Sequence, residues 1–359
     1  MAFDPHREDY QRLALRFARS LEGVSPMAAA RAFASFGRRF AQDRDSLPQT
    51  DADRAFHLVA EATTLIDYQL PFATDEEAET IISHAHRLLE EAQSLDPLCH
   101  DAVRMDTAAR CPSFESYYQY LHEQEPEVRA RCEEAVAEAL KDDSAERGAV
   151  AADLARRPHL RWLAMMASKA LICGRNHETL SLCEQLFTLD PTDAADARFS
   201  AALAYAKLED EQGLDRLEER CQRLPHIGGQ PDAWMLLARI ALATKRRDFP
   251  RARQLLARIA ELYPHATIAL ARQRELPDGV YSRLALPPYS EDELIIAISE
   301  ATVLLQEGRD SLGRGSLGSW VLQECLQLAS KDDLIELADV IEAMGAKRRG
   351  SSEQQGGTS

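Results

Sequence analysis

The chain has 359 residues, 45% of them hydrophobic and 28% charged, with a formal net charge of −17. This is the composition of a chain that buries an apolar core in water, and its negative charge disfavours unspecific attraction to nucleic acid or an anionic membrane, both of which need a cationic face. No apolar run approaches the roughly 20 residues that cross a bilayer, the first ten residues lack the apolar stretch of a secretory signal, and the seven scattered cysteines include no Cys-x-x-Cys pair, so a cytoplasmic chain with reduced thiols is expected.

Residues 1–50 predict two helices broken at Gly23-Val24-Ser25-Pro26, where Ser25 can cap and Pro26 can start the second. Eight arginines face five acids over residues 3–44, against the sign of the whole chain, which reads as a solvated helical face or a docking arm. Residues 51–153 read as degenerate helical repeats. A helix over 52–68 meets a breaker at Leu70-Pro71, a second spans 75–95, and an acidic helix from Phe114 is interrupted at Glu125-Pro126 before a charged junction at 141–147.

The clearest repeats occupy residues 154–266. Leu163, Met166, Ala167 and Ala170 recur at helical spacing, as do Ala197, Ala201, Ala204 and Tyr205, and then Trp234, Leu237, Ala238 and Ala241; each set is followed by a second apolar helix. Leu95-Asp96-Pro97, Leu189-Asp190-Pro191, Leu224-Pro225 and Tyr263-Pro264 close helices in the same way, with an extra loop at 226–230. Residues 267–344 predict capping helices: one near 267–275, a proline-rich connector at 276–289, a helix through 305 capped by Ser290, and two more at 319–328 and 331–344. Residues 345–359 lack apolar residues beyond Ala346 and are expected to be disordered.

Pro191 and Pro225 lie 34 residues apart, the period of a tetratricopeptide unit, and Pro264 follows 39 later. Trp234-x-x-Leu237-Ala238-x-x-Ala241, Ala252-x-x-x-Leu256 and Pro264 resemble the tetratricopeptide pattern, and Ala85-x-x-x-Leu89 with Pro97 keeps its alanine-to-proline interval. Thr179 and Gly213 depart from it, standing where alanine is usual. Arg157-Pro158-His159-Leu160-Arg161 and Leu286-Pro287-Pro288 are similar to bacterial tetratricopeptide proteins related to the suppression-of-tumorigenicity family. The resemblance implies an all-α, tetratricopeptide-like solenoid of helix pairs with helical caps, and a surface for partners in place of a reaction centre.

No motif points to catalysis or a cofactor. Gly313-x-Gly315-x-x-Gly318 lacks the preceding strand of a dinucleotide site, and His84 and His86, two apart on a helix, diverge by about 200° and cannot readily share a metal. The tetratricopeptide resemblance places a concave face on the first helix of each pair, where Arg161, Ser168, Arg198, Tyr205 and Arg239 stand outside the packing stripe. Three cations in an acidic chain suggest a groove for an acidic protein or peptide segment, and so a non-enzymatic adaptor; neighbouring acids could equally satisfy those arginines. The alternative is a regulatory peptide sensor whose N-terminal helices dock an effector.

Overall fold

The computed structural model describes residues 4–70, 73–224, 229–273, 286–308 and 315–342, and among these the secondary structure is helical, with no strand. Two compact units divide between Ala197 and Arg198, inside residues 154–266.

The first unit contains α1 (Pro5–Ser20), α2 (Pro26–Gln42), α3 (Asp51–Thr63), α4 (Asp75–Leu95), α5 (His100–Arg110), α6 (Phe114–Ala139), α7 (Ala145–Ile172) and α8 (Asn176–Leu189). A π-helical stretch, Thr64–Gln69, extends α3. Starts are set locally. The Thr50 and Thr74 side chains each accept from the amide of the third helical residue while Asp53 and Glu77 reach back to the cap amide. Pro26 begins α2, but the Ser25 side chain makes no cap bond. Alanines let α3, α4 and α5 approach closely around Ala55, Val59, Ala85, Leu89, Ala92 and Ala102.

Helices α6 and α7 differ from the sequence expectation. The first runs unbroken through Pro126 and the second through Pro158. A proline inside a helix costs about 3 kcal/mol, and side-by-side packing of two long helices offsets it. The buried Trp162 indole donates to the Leu121 carbonyl at 2.9 Å, and His159 Nε2 lies 2.9 Å from Glu125 Oε1, so residues next to the two prolines bind each other.

The second unit holds α9 (Ala197–Leu208), whose first residue marks the division, then α10 (Glu211–Cys221), α11 (Ala233–Lys245), α12 (Phe249–Leu262), α13 (Ala266–Ala271), α14 (Glu291–Glu300), α15 (Thr302–Leu305), α16 (Ser316–Leu328) and α17 (Lys331–Glu336). The predicted stripe is its core, since Trp234, Leu237, Ala238, Ala241, Ala252, Leu256 and Ile259 are all buried. Phe199 stacks on Trp234 at 3.6 Å between centroids, and the Trp234 indole donates to Glu300 of α14 at 2.7 Å. Ser290 caps α14 through the Glu293 amide. A smaller cluster of Ile268, Ala271, Leu322, Leu337 and Val340 joins α13 to α16 and the segment after it.

Most of the 226–230 loop, the 276–289 connector as far as residue 285, Gly313, and the 345–359 tail lie outside the described residues.

Candidate functional site

The five residues singled out from the sequence do not share one unit. Arg161 and Ser168 belong to the first; Arg198, Tyr205 and Arg239 belong to the second.

Arg161 projects from α7 into a buried network of charge. Its Nε and Nη2 donate to the two Asp101 oxygens of α5 at 2.8 and 2.5 Å, and its Nη1 donates to Glu8 of α1 at 2.7 Å. Arg157 and Arg12 also bond Glu8, at 3.3 and 2.8 Å. Burial pushes the Glu8 and Asp101 carboxyls up, yet the arginines around them, Arg161 foremost, hold both below the ordinary carboxylate range. Beside this network α1 places Asp9 against Arg44 and His57, Arg16 against Asp53, and the Arg12 guanidinium 4.1 Å from the centre of the Phe56 ring. A carboxylate of the chain's own first helix thus takes the place on Arg161 that the sequence suggested for a ligand. Ser168, one residue off the packing stripe, is buried and its hydroxyl has no hydrogen-bond partner among the described residues.

In the second unit Arg198 is also buried, its guanidinium 4.1 Å from the Phe199 ring centre and its Nε donating to Asp232 at 3.3 Å. Tyr205 lies over Gly213 of α10, where a Cβ would overlap its ring. That contact leaves no room for a side chain at this position. Glu293 at the start of α14 is pushed up to about 7, by burial first and then by Asp232; Arg198 works against that shift.

Arg239 lines an open groove. The groove, of about 710 Å³, runs over α11 between α10 and α12. Its α10 wall carries Glu211, Asp215 and Glu218 on one helical face, and its α12 wall carries Arg251, Gln254 and Arg258, with the cap residue Asp248 at the start of that helix. Arg239 binds Asp215 and Glu218 at 2.6 and 2.5 Å, and Arg246 pairs with Glu211, so the acids of the first wall are engaged from within. On the opposite wall Arg258 meets Glu261 and Gln230, while the exposed Arg251 side chain has no acidic partner among the described residues. The packing stripe drew attention to α11 and missed α12. A signal was present: residues 245–258 hold six cations and one acid in an otherwise acidic chain.

Among the described residues no group of three or more His, Cys, Asp or Glu side chains is placed to hold a metal ion, and no helix is long and apolar enough to cross a membrane. His86 lies 3.3 Å from Asp106. The seven cysteines are free, and burial raises Cys99 and Cys132 to about 11, which keeps both thiols protonated at neutral pH. No family model, no curated protein and no solved structure matches the chain.

Proposed function

We propose that this chain is a non-catalytic, tetratricopeptide-like repeat protein of the cytoplasm that takes an acidic segment of a protein or peptide in the α10–α12 groove. The repeat assignment is supported by the burial of Trp234, Leu237, Ala238, Ala241, Ala252 and Leu256 at the pattern positions and by the packing of α11 on α12. The observation that carries the binding assignment is the α12 wall. Arg251 and Arg258, seven residues and so about 10 Å apart along the helix, border an open groove whose opposite acids are already paired. A polypeptide with carboxylates two helical turns apart would meet both, with Leu236, Leu242 and Leu255 beneath it.

The test uses a fluorescein-labelled helical peptide with glutamates seven residues apart, titrated by anisotropy into the full chain and into an Arg251→Glu/Arg258→Glu variant. Charge-assisted hydrogen bonds contribute about 1.5–3 kcal/mol each, so binding is expected to weaken at least about tenfold in the variant and in the glutamine version of the peptide. Equal affinity for both chains would remove the groove as the site. Arg161 and Arg198 are unsuited to such a test, because glutamate there would place a carboxylate against Asp101 or Asp232.

A further inference from the structure

Helix α1 is joined to the rest of the first unit in an unusual way. Its apolar stripe, Leu13 and Phe17, is covered by Phe36 of α2 and by Leu47, and Tyr10, Phe17, Phe33, Phe36 and Phe40 form a chain of ring contacts at 5.1–6.2 Å. This cluster is separate from the one that holds α3, α4 and α5 together. The α1–α2 hairpin, with Leu47 of the segment that follows it, therefore carries a small core of its own.

What ties α1 to α3 and α7 is charge, and Asp101 of α5 holds the Arg161 that Glu8 meets. Glu8 meets Arg157 and Arg161 of α7, Asp9 meets His57 of α3, Arg16 meets Asp53 of α3, and Arg12 lies on Phe56 of α3. A buried ion pair roughly breaks even against its desolvation, whereas apolar burial does not, so this face supplies little net attraction for its area. Solvent reaches its edge, at Arg12, Arg16 and Asp53. A cleft of about 550 Å³ opens along α1, lined by Arg12, Arg16 and Arg19 on one side and by residues of α6 and α7 on the other. Helix α2 adds no anchor: Phe36 is its one buried residue, and Met27 and Phe33 are exposed.

We propose that the α1–α2 hairpin is a releasable arm occupying in cis a binding face made by α3, α5 and α7, and that this face accepts in trans a helix bearing two adjacent carboxylates followed by cations one and two turns later. The partner's chemistry is copied from α1, in which Glu8 and Asp9 precede Arg12 and Arg16. Once the arm leaves, Arg157, Arg161 and His57 lose their α1 carboxylates and Asp53 loses its cation. The face is distinct from the α10–α12 groove, and neither proposal depends on the other.

Two measurements on the full chain decide it. Native-state hydrogen exchange should show α1 amides opening about tenfold or more faster than those of α3 and α7. A labelled peptide of residues 4–21 should bind a Glu8→Ala/Asp9→Ala variant at least about tenfold more tightly than the wild-type chain, because a closed arm lowers the competent fraction. An Arg12→Ala/Arg16→Ala variant, which loosens the arm by the opposite charges, should also bind it. Equal protection of α1, α3 and α7, collapse of helical circular dichroism in both variants, or absence of peptide binding to folded variants would each overturn the proposal.

Discussion

Substituting Gly213 tests whether Tyr205 is a packing residue or an open platform. Alanine is ordinarily better than glycine in a helix by about 0.5–1 kcal/mol. Here the added methyl would overlap the Tyr205 ring and lie 2.6 Å from Asp210 Oδ2. The Asp210 oxygen is a minor obstacle, since the cap bond to the Gly213 amide uses Oδ1 and the other oxygen can move aside. The ring is the serious one, because displacing a packed side chain costs about 1–3 kcal/mol. The net expectation for Gly213→Ala is a loss of about 1 kcal/mol. In a Tyr205→Ala background the overlap is gone, and the same substitution should stabilise by about 0.5–1 kcal/mol, a change of sign between backgrounds of the size expected for residues in contact. Urea unfolding of the four chains, followed by far-ultraviolet circular dichroism, completes the cycle. If Gly213→Ala stabilises equally in both backgrounds, Tyr205 does not occupy this position.

Arg161→Met should leave Glu8 and Asp101 facing each other without their shared cation; removing one partner of a buried charge network costs about 3–5 kcal/mol. Most of that loss is expected as release of α1, measured by exchange of its amides, and unchanged protection would refute it. Glu293, raised from 4.5 to about 7, binds a proton more readily in the folded chain, so its contribution to stability is full below about pH 4.5 and is lost as pH rises through 7. Glu293→Gln should remove that decline, which melting temperatures of the two chains across this range will show; parallel curves would contradict it. Trp234→Phe keeps a ring for Phe199 to stack on but deletes the indole donor to Glu300, with an expected cost of about 1.5–3 kcal/mol by urea unfolding. A cost near zero would mean that this bond adds nothing net.

Local chemistry was readable along the chain. The helix over 75–95 and the start of the one after Ser290 follow from side chains that cap amides three residues away, and the stripe from Trp234 to Ala241 and on to Leu256 follows from a 3.6-residue period. The amino-acid sequence alone therefore determined an all-α chain, most of its helix starts and the core of its second unit. Tertiary structure decided the rest. Pro126 and Pro158 lie within helices because α6 and α7 compensate each other, a gain that no local preference contains. Gly213 looked like a flaw in a repeat until Tyr205 was placed over it. Arg161 stood out as one of three cations off the packing stripe, yet its carboxylate partners lie 60 and 153 positions away, at Asp101 and Glu8. Whether an arginine is free to bind a partner depends on which acids folding brings to it, and that is set by long-range packing and not by spacing along the chain.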